Sequence, residues 1–502
     1  MAGGVRAAAI GLAFCALALP ATAQTLKIGL GEDPDALDPA LGRTFVGRQV
    51  FAALCDKLFD ITPSLDIVPQ LATGYSWSED EKKLTITLRE DVLFQDGEKL
   101  DAAAVKYNIE RSLTLPGSSR KSEFPPVEAV TIVDPLTVRI ELKVPFAPLL
   151  SVLTDRAGMM VSPKAAEAAG TNFASHPVCA GPFKFAERVP QDRIVVEKFD
   201  RYWNKDHIKL DRIIYRPMAD GSVRIANLRS GDLDMIERIL PPDFRALEKD
   251  GKFATASIPG LGYQGITINI ANGAKAAGPF AKDARVREAF NLAIDRDAIN
   301  QVLNEGLFVP DDQFVSPVSP FHDEGPAPKR DIEKAKALLA EAGVPHPSFT
   351  LMIPAGSPAM AQLSQIVQAM AAEAGFEVKL QATDLATALA AARRGDFEAF
   401  LLEWSGRTDP DGNSYGFLHS GGVLNDGHYA DDQLDELLDE ARSAGSTPAR
   451  KAFYDRARPI LERDQPIVYL YHQKWLWGFT KELKGFVPTP DGIVRVADLT
   501  KG

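Results

Sequence analysis

From residue 331 to residue 404 the chain repeats one rhythm: a run with helical periodicity, a glycine, then an apolar run of strand length. Asp331 is placed to cap a helix over IEKAKALLAEA, which stops at Gly343. The spacing predicts a second helix over 358–374 ending at Gly375, then a strand FEVKL (376–380). A third helix over 385–394 ends at Gly395 and leads into the strand FEAFLLEW (397–404). Segments alternating in this way form an α/β layer with a parallel or mixed sheet, since each helix must bury its apolar stripe on a sheet face.

The first half reads mostly as strands: TLKIGLG (25–31), LTITL (84–88), VRIEL (138–142), RIVVEKF (193–199) and RIIYRPM (212–218). Asp283 is placed to cap one helix through ARVREAFNLAIDRDAINQVL, with Val286, Phe290, Ala293 and Ile294 on its buried face. A length of 502 residues allows two or three domains. The formal net charge of −12, with no basic run, excludes phosphate-backbone binding and so a nucleic-acid partner.

The first 23 residues have the form of a secretory signal peptide. Arg6 gives a positive start, residues 7–19 are apolar, and Ala21-Thr22-Ala23 is a cleavage pattern that leaves Gln24 first in the mature chain. Cys15 follows the bulky Phe14, which does not suit lipid attachment. The expected product is a soluble exported, periplasmic protein. Two cysteines then remain, Cys55 and Cys179. They form one disulfide or stay as two buried thiols, and export favours the disulfide.

Motifs for zinc helices, phosphate loops and dinucleotide binding are absent from the sequence. His419 and His428 share one glycine-rich stretch and could together hold a metal or simply face solvent. No residue can be nominated as a nucleophile, and no cofactor is expected.

The stretch EWSGRTDPDGNSYGFL (403–418) follows the last strand of the repeating segment. Loops at carboxyl ends of strands in open α/β sheets are where ligands bind. Asp-Pro-Asp-Gly-Asn is also good turn chemistry in its own right, so a structural turn and a binding loop are both open.

Six segments in order resemble the extracytoplasmic solute-binding proteins of family 5, which serve ABC importers of peptides, nickel chelates and related solutes. They are residues 68–111, GPFKFAERVPQDRIVVEKFDRYW (181–203), RIANLRSGDLDMI (224–236), residues 262–299, the Trp404 loop and DQPIVYLY (464–471). Gln95 departs from the histidine common in the family. The resemblance implies an α/β, two-lobed periplasmic binding protein of type II, cluster C-like, joined by two hinge strands. Its first lobe would be residues 24–265 plus 476–502, with an extra subdomain over 63–177, and its second lobe 266–475. It also implies a small-molecule solute, a membrane permease as partner, a monomer, and no enzymatic step. A nickel-chelate carrier, an exported hydrolase on the same scaffold and a sensory subunit are the alternatives.

In dipeptide-binding members an aspartate three residues past this tryptophan pairs with the peptide's amino group. Arg407 stands there in this chain, in a loop that aligns one residue shorter. Reversing that charge disfavours an ammonium and favours a carboxylate or phosphate. Opine-like conjugates, acidic sugars and blocked peptides have that chemistry. Trp404 and Arg407 are expected to face the ligand, with Asp409 or Asp411 holding the arginine and Pro410, Asp411 and Gly412 shaping a turn. The other reading turns Arg407 outward or into an ion pair. Further cleft candidates are Glu32 and Asp33 after the first strand, Tyr263 before the crossover, and Arg156.

Overall fold

The computed structural model describes residues 24–325 and 327–502. The expected signal peptide lies outside the described residues.

Two large sheets carry the chain. The first has seven strands in the order Phe253–Pro259, Lys474–Thr480, Met235–Ile236, Thr25–Leu30, Arg212–Pro217, Arg193–Lys198, Phe183–Val189. Thr25–Leu30 lies at its centre, parallel to both neighbours. Its Leu26, Ile28 and Leu30 are buried, as period-two alternation requires of a central strand. The second sheet has six strands: Val309–Pro310, Ile467–His472, Tyr263–Ile268, Ala399–Trp404, Ser348–Pro354, Glu377–Thr383.

The helix–glycine–strand rhythm builds this second sheet. Helices Ile332–Glu341, Pro358–Ala374 and Leu385–Arg393 are followed by Gly343, Gly375 and Gly395, all at positive φ. At Gly375 a Cβ would also lie 2.6 Å from the Pro345 carbonyl oxygen, so the helix can turn there only without a side chain. Ser348–Pro354 runs parallel to both neighbours. Ala399 and Leu401 enter the core beneath Phe290 and Phe349, whereas Phe400 packs on the opposite face with Ala388 and Phe397.

The segment after Asp283 is two helices rather than one, Ala284–Ala293 and Arg296–Asn304. Asp295 accepts the Ala298 N–H and starts a new helix, so Ile294 is held extended. A strong N-cap here overrides the apolar periodicity. Val286, Phe290, Ala293 and Ile294 are all fully buried regardless.

A four-stranded antiparallel sheet (Ala72–Trp77, Lys83–Leu88, Thr137–Leu142, Val127–Asp134) packs with helix Ala102–Thr114 around its own core. The chain passes from the first large sheet to the second between Pro259 and Tyr263, and returns between His472 and Lys474. The two crossings are bonded to each other, the Gly260 N–H donating to the Gln473 carbonyl at 2.8 Å.

Cys55 and Cys179 are joined by a disulfide across 124 residues. Gln95 braces this junction: its Nε2 donates to the carbonyls of Leu54 and Phe183, each at 2.7 Å, and its Oε1 accepts the Cys179 N–H at 2.8 Å. A cross-link over so long a loop restricts the unfolded chain strongly. Cys55→Ser with Cys179→Ser is expected to cost about 2–5 kcal/mol of stability. Chemical unfolding of the double variant beside the parent checks this, and equal midpoints would show that the bond contributes nothing.

Candidate functional site

A cavity of about 1360 Å³ opens at the carboxyl end of Ala399–Trp404. One wall comes from residues around the first sheet and the extra subdomain: Arg48, Arg120, Glu123, Asp155 and Arg156. The opposite wall is the stretch from Glu403 to Phe417.

Asn413 sets the shape of that second wall. Its Oδ1 accepts the Trp404 indole N–H at 2.9 Å and the Arg407 backbone N–H at 2.8 Å. Gly406 sits at φ +82°, and a Cβ there would lie 2.2 Å from the Leu261 carbonyl carbon, so only glycine lets the loop lie on the crossover. The Arg407 side chain crosses the face of Gly412, where a Cβ would meet its Cγ at 2.6 Å. Its guanidinium then lies over the Trp404 ring, 4.6 Å from the centroid, and lines the cavity. One nitrogen donates to the Gly406 carbonyl at 2.8 Å, and the nearest carboxylate oxygen, on Glu123, is 3.9 Å away. Burial lowers the Arg407 pKa, with Glu123 and Asp155 opposing the shift.

The first wall adds three more arginines. Arg48 donates to Asp155 at 3.1 Å. Arg156 donates to the Gly42 carbonyl at 2.9 Å and lies 3.8 Å from Asp155. Arg120 pairs with Glu123 and also donates to Gly42 at 3.2 Å. Burial alone would raise the Asp155 carboxyl, yet Arg48, Arg156, Arg407 and Arg120 together hold it well below the usual carboxylate range. Burial, reinforced by neighbouring Arg120, pushes Arg156 down to about 9 against the pull of Asp155.

The remaining sequence candidates are placed as follows. Asp409 lines the cavity, but both its oxygens are taken by Arg450 at 2.6 Å. Asp411 pairs with Arg442 at 2.8 Å. Neither holds Arg407, contrary to expectation, because each meets a nearer arginine from the helices behind the loop. Pro410, Asp411 and Gly412 do not form a free turn either: Pro410 is the N-cap of helix Asp411–Leu418. Tyr263 is buried between Tyr469 and Phe417 and does not line the cavity. Glu32 pairs with Arg238 at 3.3 Å and Asp33 with Arg188 at 3.1 Å, both off the cavity wall. His419 stacks on Tyr415 and lies 3.6 Å from Asp439, while His428 is exposed. Among the described residues no group of three metal-ligating side chains comes together.

Arg48, Arg120, Glu123 and Asp155 were not singled out in the sequence. Arg48 alone carries a signal, as a lone cation in the apolar helix FVGRQVFAAL.

The family model for bacterial extracellular solute-binding proteins, family 5, matches residues 66–425. The chain belongs to this family, the solute-binding components of ABC importers. It is 30% identical over 497 residues to the glutathione-binding protein GsiB of Salmonella paratyphi A, covering 96% of each chain. Among solved structures it is similar to AgaA from A. tumefaciens R10 in complex with agropinic acid, at 28% identity and a TM-score of 0.83 over 95% of this chain and 99% of that one. NikZ from Campylobacter jejuni in complex with Ni(L-His) shares the fold, with a TM-score of 0.83, 24% identity, and coverage of 95% and 99%. Among the described residues no helix is long and apolar enough to cross a membrane.

Burial raises the Asp411 carboxyl to about 6, against the pull of Arg442. The unfolded chain ionises this group near pH 4 and the fold only near 6, so its contribution to stability is full below pH 4 and is lost as pH rises to 6. The loss amounts to about 3 kcal/mol. Asp411→Asn removes this titration, so the stability of the parent relative to the variant is expected to fall across pH 4–6. A difference that stays constant with pH would contradict the assignment.

Proposed function

We propose that the protein is the periplasmic binding component of an ABC importer for a small anionic solute, peptide-like or opine-like, that need not carry a free amine. The observation that carries this is Arg407: a guanidinium turned into the cavity over Trp404, with no carboxylate within hydrogen-bond distance among the described residues. In a partly dehydrated cleft a carboxylate or phosphate gains forked, charge-assisted hydrogen bonds from such a group, and an ammonium is repelled. Phe124, Phe146, Leu389 and Phe400 line other parts of the cavity and suit an organic body rather than a bare inorganic ion. Glutathione and agropinic acid, named for two relatives, both carry carboxyl groups.

The two crossings serve as the hinge in this reading. Residues 24–259 and 474–502 form one lobe and residues 263–472 the other, with the four-stranded sheet as the extra subdomain of the first. The solute binds the closed arrangement better than the open one, and that differential affinity drives closure. The closed form then docks on the permease. Covalent chemistry has no part in this cycle.

Thermal unfolding of the mature protein with a compound panel tests the reading. N-blocked acidic peptides and opine-like conjugates are expected to raise the midpoint, since ligand at about 100 times its Kd adds roughly 2.7 kcal/mol. Arg407→Ala is expected to weaken binding of the active compound about a hundredfold. Stabilisation by neutral free-amine dipeptides alone, unaffected by Arg407→Ala, would return the protein to ordinary peptide import.

A further inference from the structure

We infer that the solute held in this cleft carries two negative charges. The inference rests on reading the cleft as an anion site and counts how many anionic groups that site needs.

Four guanidiniums, those of Arg48, Arg120, Arg156 and Arg407, share two carboxylates, Asp155 and Glu123. Two positive charges of this buried group are left without a partner; Arg43 also lines the cavity, but it is exposed to solvent and donates to the Ser119 hydroxyl. Extending the group does not cancel them. Arg48 also feels Asp491, but Asp491 is bonded to Arg495, and Arg495 with Lys57 in turn shares Asp60.

The other acidic side chains on the cavity wall stand apart from the arginine group, and two of them have cations of their own. Asp409 is held by Arg450 and Asp411 by Arg442. Asp426 faces Arg393, and Glu403 lies on the side of Arg238, whose direct partners are Glu237 and Glu32. Asp439 accepts from the Tyr415 hydroxyl at 3.1 Å and neighbours His419. Among the described residues none of them forms an ion pair with the four arginines.

The unsatisfied atoms mark the same place. Arg120 and Arg156 are 2% and 3% exposed, yet the Nε of each has no acceptor. Buried guanidinium N–H groups without acceptors are costly, and a ligand oxygen removes that cost. The Oδ2 of Asp155 is likewise buried without a donor, which suits a hydroxyl or amide N–H on the body between the two anionic groups. Three of the arginines project from the first wall and Arg407 from the second, so one anionic group would be held mainly by the first wall and the other by the pair of walls together.

The test compares three matched probes by titration calorimetry on the intact mature protein: N-acetyl-Ala-Glu with two negative charges, N-acetyl-Ala-Gln with one, and N-acetyl-Ala-Gln-amide with none. The expected order is glutamate tightest, by about tenfold or more over glutamine, with the amide weakest. Arg120→Gln leaves one unpartnered charge and is expected to narrow the glutamate-to-glutamine ratio. The ratio within one variant reads charge preference independently of any loss of stability, and the wild-type series stands if the variant does not fold. Equal affinity for the first two probes, or no binding of the glutamate probe, overturns the two-charge inference while leaving a single-anion site intact. An unchanged ratio in Arg120→Gln removes Arg120 from the accounting and overturns it too. Binding of the neutral amide alone overturns the anion reading itself.

Discussion

The architecture depends on a pair of neighbouring chain crossings tied by one backbone hydrogen bond, Gly260 N–H to Gln473 carbonyl. On one side the two segments become adjacent strands of the second sheet, and on the other adjacent strands of the first. Each sheet is therefore anchored by the same two stretches of chain. Gly262 lies so close to the Trp404 carbonyl that a Cβ would stand 1.7 Å from its oxygen. The crossing is thereby packed directly against the stretch that presents Arg407. His472, fully buried, also contacts the Gly262 carbonyl at 2.6 Å and lies 3.3 Å from Asp311. The crossing and the Arg407 loop are thus one packed unit, and a shift at either is felt at the other.

The cleft itself runs against ordinary folding economy. Arginines that are almost wholly buried are normally matched by carboxylates, because an unpaired buried charge costs several kcal/mol. Here the arginines behind the second wall are matched, Arg450 by Asp409 and Arg442 by Asp411, whereas those around Asp155 outnumber their carboxylates. On the reading proposed above, the deficit lies where a bound solute relieves it, which concentrates binding energy on one chemical class.

What could be read in the sequence was local. Asp331 and the glycines at 343, 375 and 395 mark helix ends through contacts within a few residues, so the second sheet was legible. The break at Ile294 was also local, but the helical periodicity runs through it and concealed the cap at Asp295. The cleft was legible mainly on one side, with Arg156 the one residue of the first wall named from the sequence. Trp404 and Arg407 sit in a recognisable loop, whereas Arg48, Arg120 and Asp155 come from separate elements that only the topology brings together. The partners of Asp409 and Asp411 were hidden for the same reason: Arg450 and Arg442 lie in later helices, and the geometry that prefers them over Arg407 exists only after packing.

The frame that carries Arg407 holds it without an opposite charge, through the Gly406 carbonyl and the face of Trp404. Asn413 grips the backbone N–H of residue 407 and the indole of Trp404, Gly406 fixes the approach to the crossover, and Gly412 leaves a groove for any side chain that follows. Such a frame is a neutral socket. With Arg407 as the proposed solute contact, cargo preference changes through one codon while the sheets and the crossing stay as they were. On that reading the charge at position 407 is separable from the fold that positions it, so selectivity and shape are set by different residues.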